Sequence, residues 1–220
     1  MIYTKVFYFN ELRVCCYVLW DETKEAVLVD PGCYSFSEQE RLVMFVATEN
    51  LRPICLVNTH AHFDHVMGNA FVCNEWRIKT YIHPSEQSLL EHAHKYCQLF
   101  GMEIEKPPVD TFPLSEAEIL SFGFSTLQVI ETPGHSPGGI CLYAPDGGFL
   151  ITGDTLFAGS IGRTDLPGGD YDRLIGSIKT KLLPLDDAIR VLPGHGSEST
   201  LGYERNHNPF LSPHQGVPYL

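Results

Sequence analysis

The chain of 220 residues is 44% hydrophobic and 19% charged and carries a formal net charge of −12. That apolar content is enough for one sizeable core, so a single domain over residues 1–220 is expected. The acidic balance excludes a protein that wraps nucleic acid or lies on anionic lipid, since both need a concentrated Lys/Arg surface, and it suits a small-molecule substrate.

At the N-terminus apolar residues are interrupted by Lys5, Asn10, Glu11 and Arg13, with no basic start followed by a long apolar block and a small-residue cleavage site. No run approaches the ~20 apolar residues of a membrane helix. "VCCYVLW" and "AVLVD" flank the polar turn "DETKE", a hairpin signal, and "DPG" closes the second strand. Ser37 with Glu40 predicts a capping box opening a helix through Leu42, Val43 and Val46 to about Asn50. "ICLVN" is a short buried strand with "THAHFDH" at its carboxyl end; "VMGNAFVCNEW" is then helical and "IKTYIH" a strand. "SEQSLLEHAHKYCQLF" predicts an amphipathic helix with Leu89, Ala93, Cys97 and Phe100 on its apolar side, and "GMEIEKPPVDTFPL" a surface loop. "AEILSFGF" and "TLQVIET" form a strand pair, "GICLYA" and "GFLIT" a hairpin about "PDGG", "DRLIGSIKTKLL" a helix and "AIRVL" a last strand. Two packed sheets with helices outside accommodate this order.

The seven cysteines are odd in number and include no Cys-x-x-Cys pair, which suggests neither a disulfide framework nor a thiolate zinc site. A reduced, cytoplasmic protein is expected. Cys15 and Cys16, adjacent on a strand, point to opposite faces as small buried residues.

Histidine and carboxylate gather at four strand ends: "THAHFDH", "TPGHSPGG", "TGDTLF" and "PGHG". Glycine or proline around the last three lets polar side chains converge at one rim of a sheet. His60, His62, Asp64, His65, His135, Asp154 and His195 exceed one tetrahedral zinc site and suit two divalent ions. Zinc is the first candidate for both, and iron or manganese also suits imidazole with carboxylate. On an extended segment His60 and His62 face one side, while Asp64 and His65, after a turn into a helix, can serve the neighbouring ion. His83, His92, His94, His207 and His214 read as surface or capping residues. No sequence signal bears on the oligomeric state.

These four motifs, in this order from about residue 14 to residue 210, resemble the metallo-β-lactamase fold superfamily. The resemblance implies an α+β fold, a four-layer αββα sandwich with the site at the strand-end rim. It implies that His60, His62 and His135 hold one metal, Asp64, His65 and His195 the second, and that Asp154 bridges them. The bridging carboxylate is absent from true zinc β-lactamases, which points away from antibiotic hydrolysis. "TGDTLFAGSIGRTDLPGGD" and "GHGSESTLGYERNHNPFL" look like hydroxyacylglutathione hydrolase (glyoxalase II) and its short bacterial relatives. The implied reaction is hydrolysis of a thioester or related activated acyl substrate by a metal-bridging hydroxide, with Asp64 as the catalytic group that orients it and takes its proton. Glyoxalase II binds glutathione through a Lys-x-Tyr pair and a helical C-terminal domain. Here the pair reads Arg163 and Asp165, so Arg163 is the candidate substrate-binding residue, and no counterpart of the extra domain is expected. Two alternatives stand beside this: a mononuclear iron persulfide dioxygenase, which shares the ligand set and a "GRTD" segment, and a non-catalytic metal-binding interaction module.

Overall fold

In the computed structural model, which describes residues 1–211, twelve strands divide between two six-stranded sheets. The first has the order β1-β2-β3-β4-β5-β6. β1 (Tyr3–Phe9), β2 (Val14–Trp20) and β3 (Glu25–Val29) form an antiparallel meander. β4 (Arg52–Val57), β5 (Thr80–Ile82) and β6 (Phe112–Pro113) continue it in parallel. Helices α1 (Phe36–Thr48), α2 (Phe63–Val66), α3 (Asn69–Trp76) and α4 (Gln87–Gln98) supply the crossovers that parallel pairing demands.

The second sheet has the order β14-β13-β10-β9-β8-β7. β7 (Ile119–Phe122), β8 (Ser125–Glu131), β9 (Ile140–Ala144) and β10 (Phe149–Gly153) run antiparallel. A small hairpin of β11 (Leu156–Phe157) and β12 (Ser160–Ile161) follows. α5 (Tyr171–Ser177) runs into a π-helical turn, Ile178–Leu182, and returns the chain to β13 (Arg190–Pro193), parallel to β10; β14 (Ser199–Thr200) and α6 (Leu201–His207) complete this half.

Side-chain alternation explains the layers. On β2, Cys15, Tyr17 and Leu19 enter the core between the sheets, where they meet Leu127, Val129, Leu142 and Ile151 of the second sheet. Cys16 and Val18 point the other way, against Leu42 of α1 and Val72 of α3. The outer face of the second sheet packs Leu150 and Val191 against Leu174, Ile178 and Leu182. A strand covered on both faces reads as a continuous apolar run, as "VCCYVLW" does. The architecture is therefore the expected four-layer αββα sandwich.

Some elements differ from expectation. The capping box is Ser35 with Glu38, two residues earlier than Ser37 and Glu40. Ser35 Oγ accepts from Glu38 N, and the Glu38 carboxylate accepts from the backbone N–H groups of Ser35 and Tyr34 at 2.9 Å each, so the helix starts at Phe36 and Ser37 falls inside its first turn. β1 has no clear sequence signal because it is an edge strand whose first residues are only partly covered. The buried stripe of α4 is Leu90, Ala93 and Cys97; Leu89 is partly exposed and Phe100 lies beyond the helix, 65% exposed. The Pro-containing middle segment adds the short β6 to the sheet edge before Leu114 plugs the inter-sheet core.

All seven cysteines are free thiols, six of them buried. Burial pushes the Cys15 thiol up to about 11 and those of Cys33 and Cys55 up to about 12, so they stay protonated. No helix among the described residues is long and apolar enough to cross a membrane. His214 lies outside the described residues.

Candidate metal centre

The seven predicted donors arrive from four strand ends. His60, His62, Asp64 and His65 follow β4, His135 follows β8, Asp154 follows β10 and His195 follows β13. Parallel pairing of β10 with β13 brings the last two to one rim, and Cys15 N donating to Gly194 O at 2.7 Å ties that rim to β2 of the first sheet. The structure brings all seven together in two groups.

In the first group His62 Nδ1 lies 2.9 Å and His60 Nε2 3.3 Å from His135 Nε2. In the second, His195 Nε2 lies 3.3 Å from His65 Nε2 and 3.2 Å from Asp64 Oδ2. Asp154 stands between them, with Oδ2 at 3.5 Å from His135 Nε2 and Oδ1 at 3.3 Å from His65 Nε2.

Hydrogen bonds behind these groups set the imidazole tautomers. His135 Nδ1 is 2.7 Å from Arg163 O and His195 Nδ1 3.0 Å from Leu12 O; a carbonyl only accepts, so each Nδ1 carries the proton and each Nε2 turns a lone pair inward. Asp30 Oδ2 lies 3.1 Å from His65 Nδ1 and accepts from Thr59 Oγ1 at 2.6 Å, while Asp30 Oδ1 accepts from Thr59 N at 2.8 Å. The Thr59 hydroxyl, its proton given to Asp30, is left to accept from His60 Nδ1 at 3.1 Å. One buried carboxylate thus orients a histidine in each group. A second, Glu86, is fully buried and accepts from Ala61 N at 2.8 Å and Gly138 N at 2.6 Å, so it joins the His60–His62 loop to the loop that carries His135.

The donor set fits divalent cations. With their other nitrogens committed, the inward imidazole nitrogens of His60 and His135 face each other as lone pairs with no proton to share. Asp154 Oδ1 is buried without a hydrogen-bond donor. Gly194 leaves room that any side chain would take, because a Cβ there would sit 2.3 Å from Asp154 Oδ1 and 2.8 Å from His65 Cε1.

Charge is divided across the site. Burial and the neighbouring imidazoles hold His60 well below its ordinary value, and burial with His135 brings His62 to about 4, so both are neutral donors. Burial alone would lower His65, but the carboxylates of Asp154, Asp64 and Asp30 raise it well above its ordinary value. Burial alone would raise Asp64 and Asp154; the charge of His65 outweighs it and holds both below the ordinary carboxylate value.

The centre opens into a cleft of about 410 Å³ lined by His62, Asp64, His135, Asp154 and His195 together with apolar side chains and Arg163. Arg163 is at the rim and forms a two-pronged pair with Asp165, Nε to Oδ1 at 2.8 Å and Nη2 to Oδ2 at 2.7 Å. Three of the remaining histidines have local roles: His83 caps a turn by accepting from Ser85 N, and His92 and His207 pair with backbone carbonyls one helical turn earlier. His94 departs from the surface expectation, its Nδ1 being enclosed without a hydrogen-bond partner. The sequence reading missed Asp30, Thr59 and Glu86; "DPG" signalled only a strand end, and Glu86 lay in an unremarked helix start.

A sequence profile of the metallo-beta-lactamase superfamily matches residues 10–195, a span that contains all seven donors. The chain is 37% identical over 203 residues to Hydroxyacylglutathione hydrolase GloC of Haemophilus influenzae, covering 90% of this chain and 92% of that protein. Among solved structures it is similar to TTHA1623, crystallised in a di-iron-bound form, with a TM-score of 0.86 and 40% identity over 94% of this chain and 100% of that one. It is equally similar in fold to the BLEG-1 B3 metallo-beta-lactamase, with a TM-score of 0.86 and 38% identity over 96% of this chain and 100% of that one.

Proposed function

The chain belongs to the metallo-beta-lactamase superfamily, and from that premise we propose that it is a binuclear, glyoxalase II-like hydrolase of thioesters or related activated acyl compounds. The observation that carries this reading is the position of Asp154, with one carboxylate oxygen toward each group of donors. In it His60, His62 and His135 would hold one ion, Asp64, His65 and His195 the other, and Asp154 would serve both. Two such ions, zinc first among the candidates and iron or manganese also suited, would supply Lewis acidity and a water acidic enough to react near neutral pH.

The chain's own groups do the rest. Asp64, ionised and facing the cleft, orients the attacking water and accepts its proton. Asp30 and Glu86 keep the imidazoles in place so that little reorganisation accompanies charge development. The departing thiolate is a stable anion and needs no strong acid. Arg163 contacts the substrate at the rim. The GloC relative supports a thioester as the substrate.

Likeness to BLEG-1 favours a second reading, β-lactam hydrolysis, as a side activity of the same centre. A mononuclear iron persulfide dioxygenase shares this ligand set, so metal stoichiometry and oxygen uptake separate it from the hydrolase. The experiment is metal quantification on protein purified without chelator, paired with assays on S-lactoylglutathione, simple acyl thioesters, a chromogenic cephalosporin and a persulfide with an oxygen electrode. Two metals per chain with thioester cleavage is the expected result. One iron with persulfide-dependent oxygen uptake overturns it, and full metal loading without any activity points to a binding module.

A further inference from the structure

Apart from the metal donors, the cleft lining is mostly apolar. Phe63 of α2, with Leu89, Tyr96 and Phe100 of α4 and the turn after it, makes one wall directly beside the metal donors. The Phe63 and Phe100 rings stack at 4.8 Å, yet Phe100 is 65% and Tyr96 40% exposed, so this wall meets water with nothing else in the described chain over it. Leu12, Leu166 and Pro167 add to the apolar lining, and Arg163 is the one charged lining residue that is not a metal donor, its charge already matched by Asp165.

Glutathione brings two carboxylates and an ammonium group, and phosphorylated thiol carriers bring more negative charge. Neither meets an unpaired cation among the described lining residues, and the chain's net charge of −12 works against both. A hydrocarbon group on the aromatic wall would gain from leaving water, whereas hydroxyl or carboxylate groups there would lose hydrogen bonds.

We propose that this wall is a subsite for an apolar acyl group, so that the preferred substrates are thioesters of hydrocarbon acids on small, weakly charged thiols. The acyl chain lies along Phe63, Leu89, Tyr96 and Phe100, and the thiol departs past the exposed Arg163–Asp165 rim. The proposal rests on the hydrolase reading above and specifies its substrate class.

The test uses the metal-loaded enzyme with N-acetylcysteamine thioesters of acetate, butyrate and hexanoate, beside S-lactoylglutathione. kcat/KM is expected to rise by about threefold per added methylene, and Phe100→Ala and Leu89→Ala to flatten that rise. A second arm titrates the non-hydrolysable S-methyl and S-hexyl thioethers of N-acetylcysteamine by calorimetry, with tighter binding of the hexyl compound expected in the wild type and not in Phe100→Ala. Equal kcat/KM for acetyl and hexanoyl thioesters, or a preference for S-lactoylglutathione, overturns the subsite and leaves the hydrolase reading standing. If no thioester is cleaved, the hydrolase reading falls and the thioether titration alone decides: a hexyl preference that Phe100→Ala removes keeps the apolar subsite, and its absence overturns it.

Discussion

Glu86→Gln keeps the size of the buried side chain but gives it an NH2 group that must face one of two backbone N–H donors, Ala61 or Gly138. One bond is replaced by a donor–donor clash at a fully buried side chain. The loops carrying His60, His62 and His135 then shift relative to one another. The expected result is a loss of about 10–100-fold in metal affinity of that group, with the Asp64–His65–His195 group retaining its ion; metal titration of the variant measures both. Asp165→Ala acts at the rim instead. It frees the Arg163 guanidinium from a two-pronged partner, so a thioester with a terminal carboxylate on its acyl chain should gain about threefold in kcat/KM relative to its uncharged analogue. Comparing succinyl with butyryl thioesters reads the change. The two carboxylates that position the site, Asp30 and Glu86, show why the donors were legible in the chain and their supports were not. Donor motifs are local, with four groups within six positions of "HAHFDH", whereas Glu86 acquires its meaning only from Gly138, 52 residues away.

At the scale of elements, the β2–β3 and β7–β8 hairpins belong to different sheets and are latched by one side chain. The buried Asp21 carboxylate accepts from Thr23 N at 2.9 Å and Thr23 Oγ1 at 2.6 Å in its own turn, and from Phe124 N at 2.6 Å and Ser125 Oγ at 3.0 Å in the other. Gly123, with φ of 54°, passes so close that a Cβ would lie 2.3 Å from Asp21 Oδ1. Burial alone would raise the Asp21 pKa, but the hydrogen bonds from Thr23, Phe124 and Ser125 outweigh it and hold the carboxyl below its ordinary value. A carboxylate depressed on folding contributes stability that is full above its unfolded pKa of about 3.9 and lost as pH falls through the lower folded value. Asp21→Ala should therefore cost about 3 kcal/mol near neutral pH by stranding buried donors. The gap from wild type should shrink below about pH 4, and urea unfolding over a pH series measures it. Neither hairpin was hidden in the sequence, since turn residues and apolar runs marked both; that they touch was hidden, because patterning states which face of a strand is buried and not against what. The displaced helix cap has a similar cause: Ser35 and Ser37 both precede an acidic residue at the same spacing, and only the backbone path chooses between them.

On the whole molecule, the Asp21 latch and the metal centre hold the same two sheets at opposite ends. β2 runs from Val14, which bridges to His195 at the centre, to Trp20 next to Asp21; β8 runs from Ser125 at the latch to Glu131 just before His135. The first half of the chain gives His60, His62, Asp64 and His65, and the second half gives His135, Asp154 and His195, so bound ions tie one half to the other. The four-layer order was legible because these motifs follow one another in a characteristic sequence, not because composition dictates it. Ions that bind the folded state alone stabilise it by about 2.7 kcal/mol at a hundredfold excess over Kd. Chelation should accordingly lower Tm by several degrees, with recovery on adding zinc, iron or manganese. The two ends share no residue, so the costs of chelation and of Asp21→Ala should add to within about 0.5 kcal/mol when both are imposed. A markedly smaller combined cost would mean that the sheets part as one unit once either end is released, and a markedly larger one that each end alone suffices to keep them stacked. Denaturant unfolding of the four species, wild type and Asp21→Ala each with and without metal, distinguishes the three outcomes.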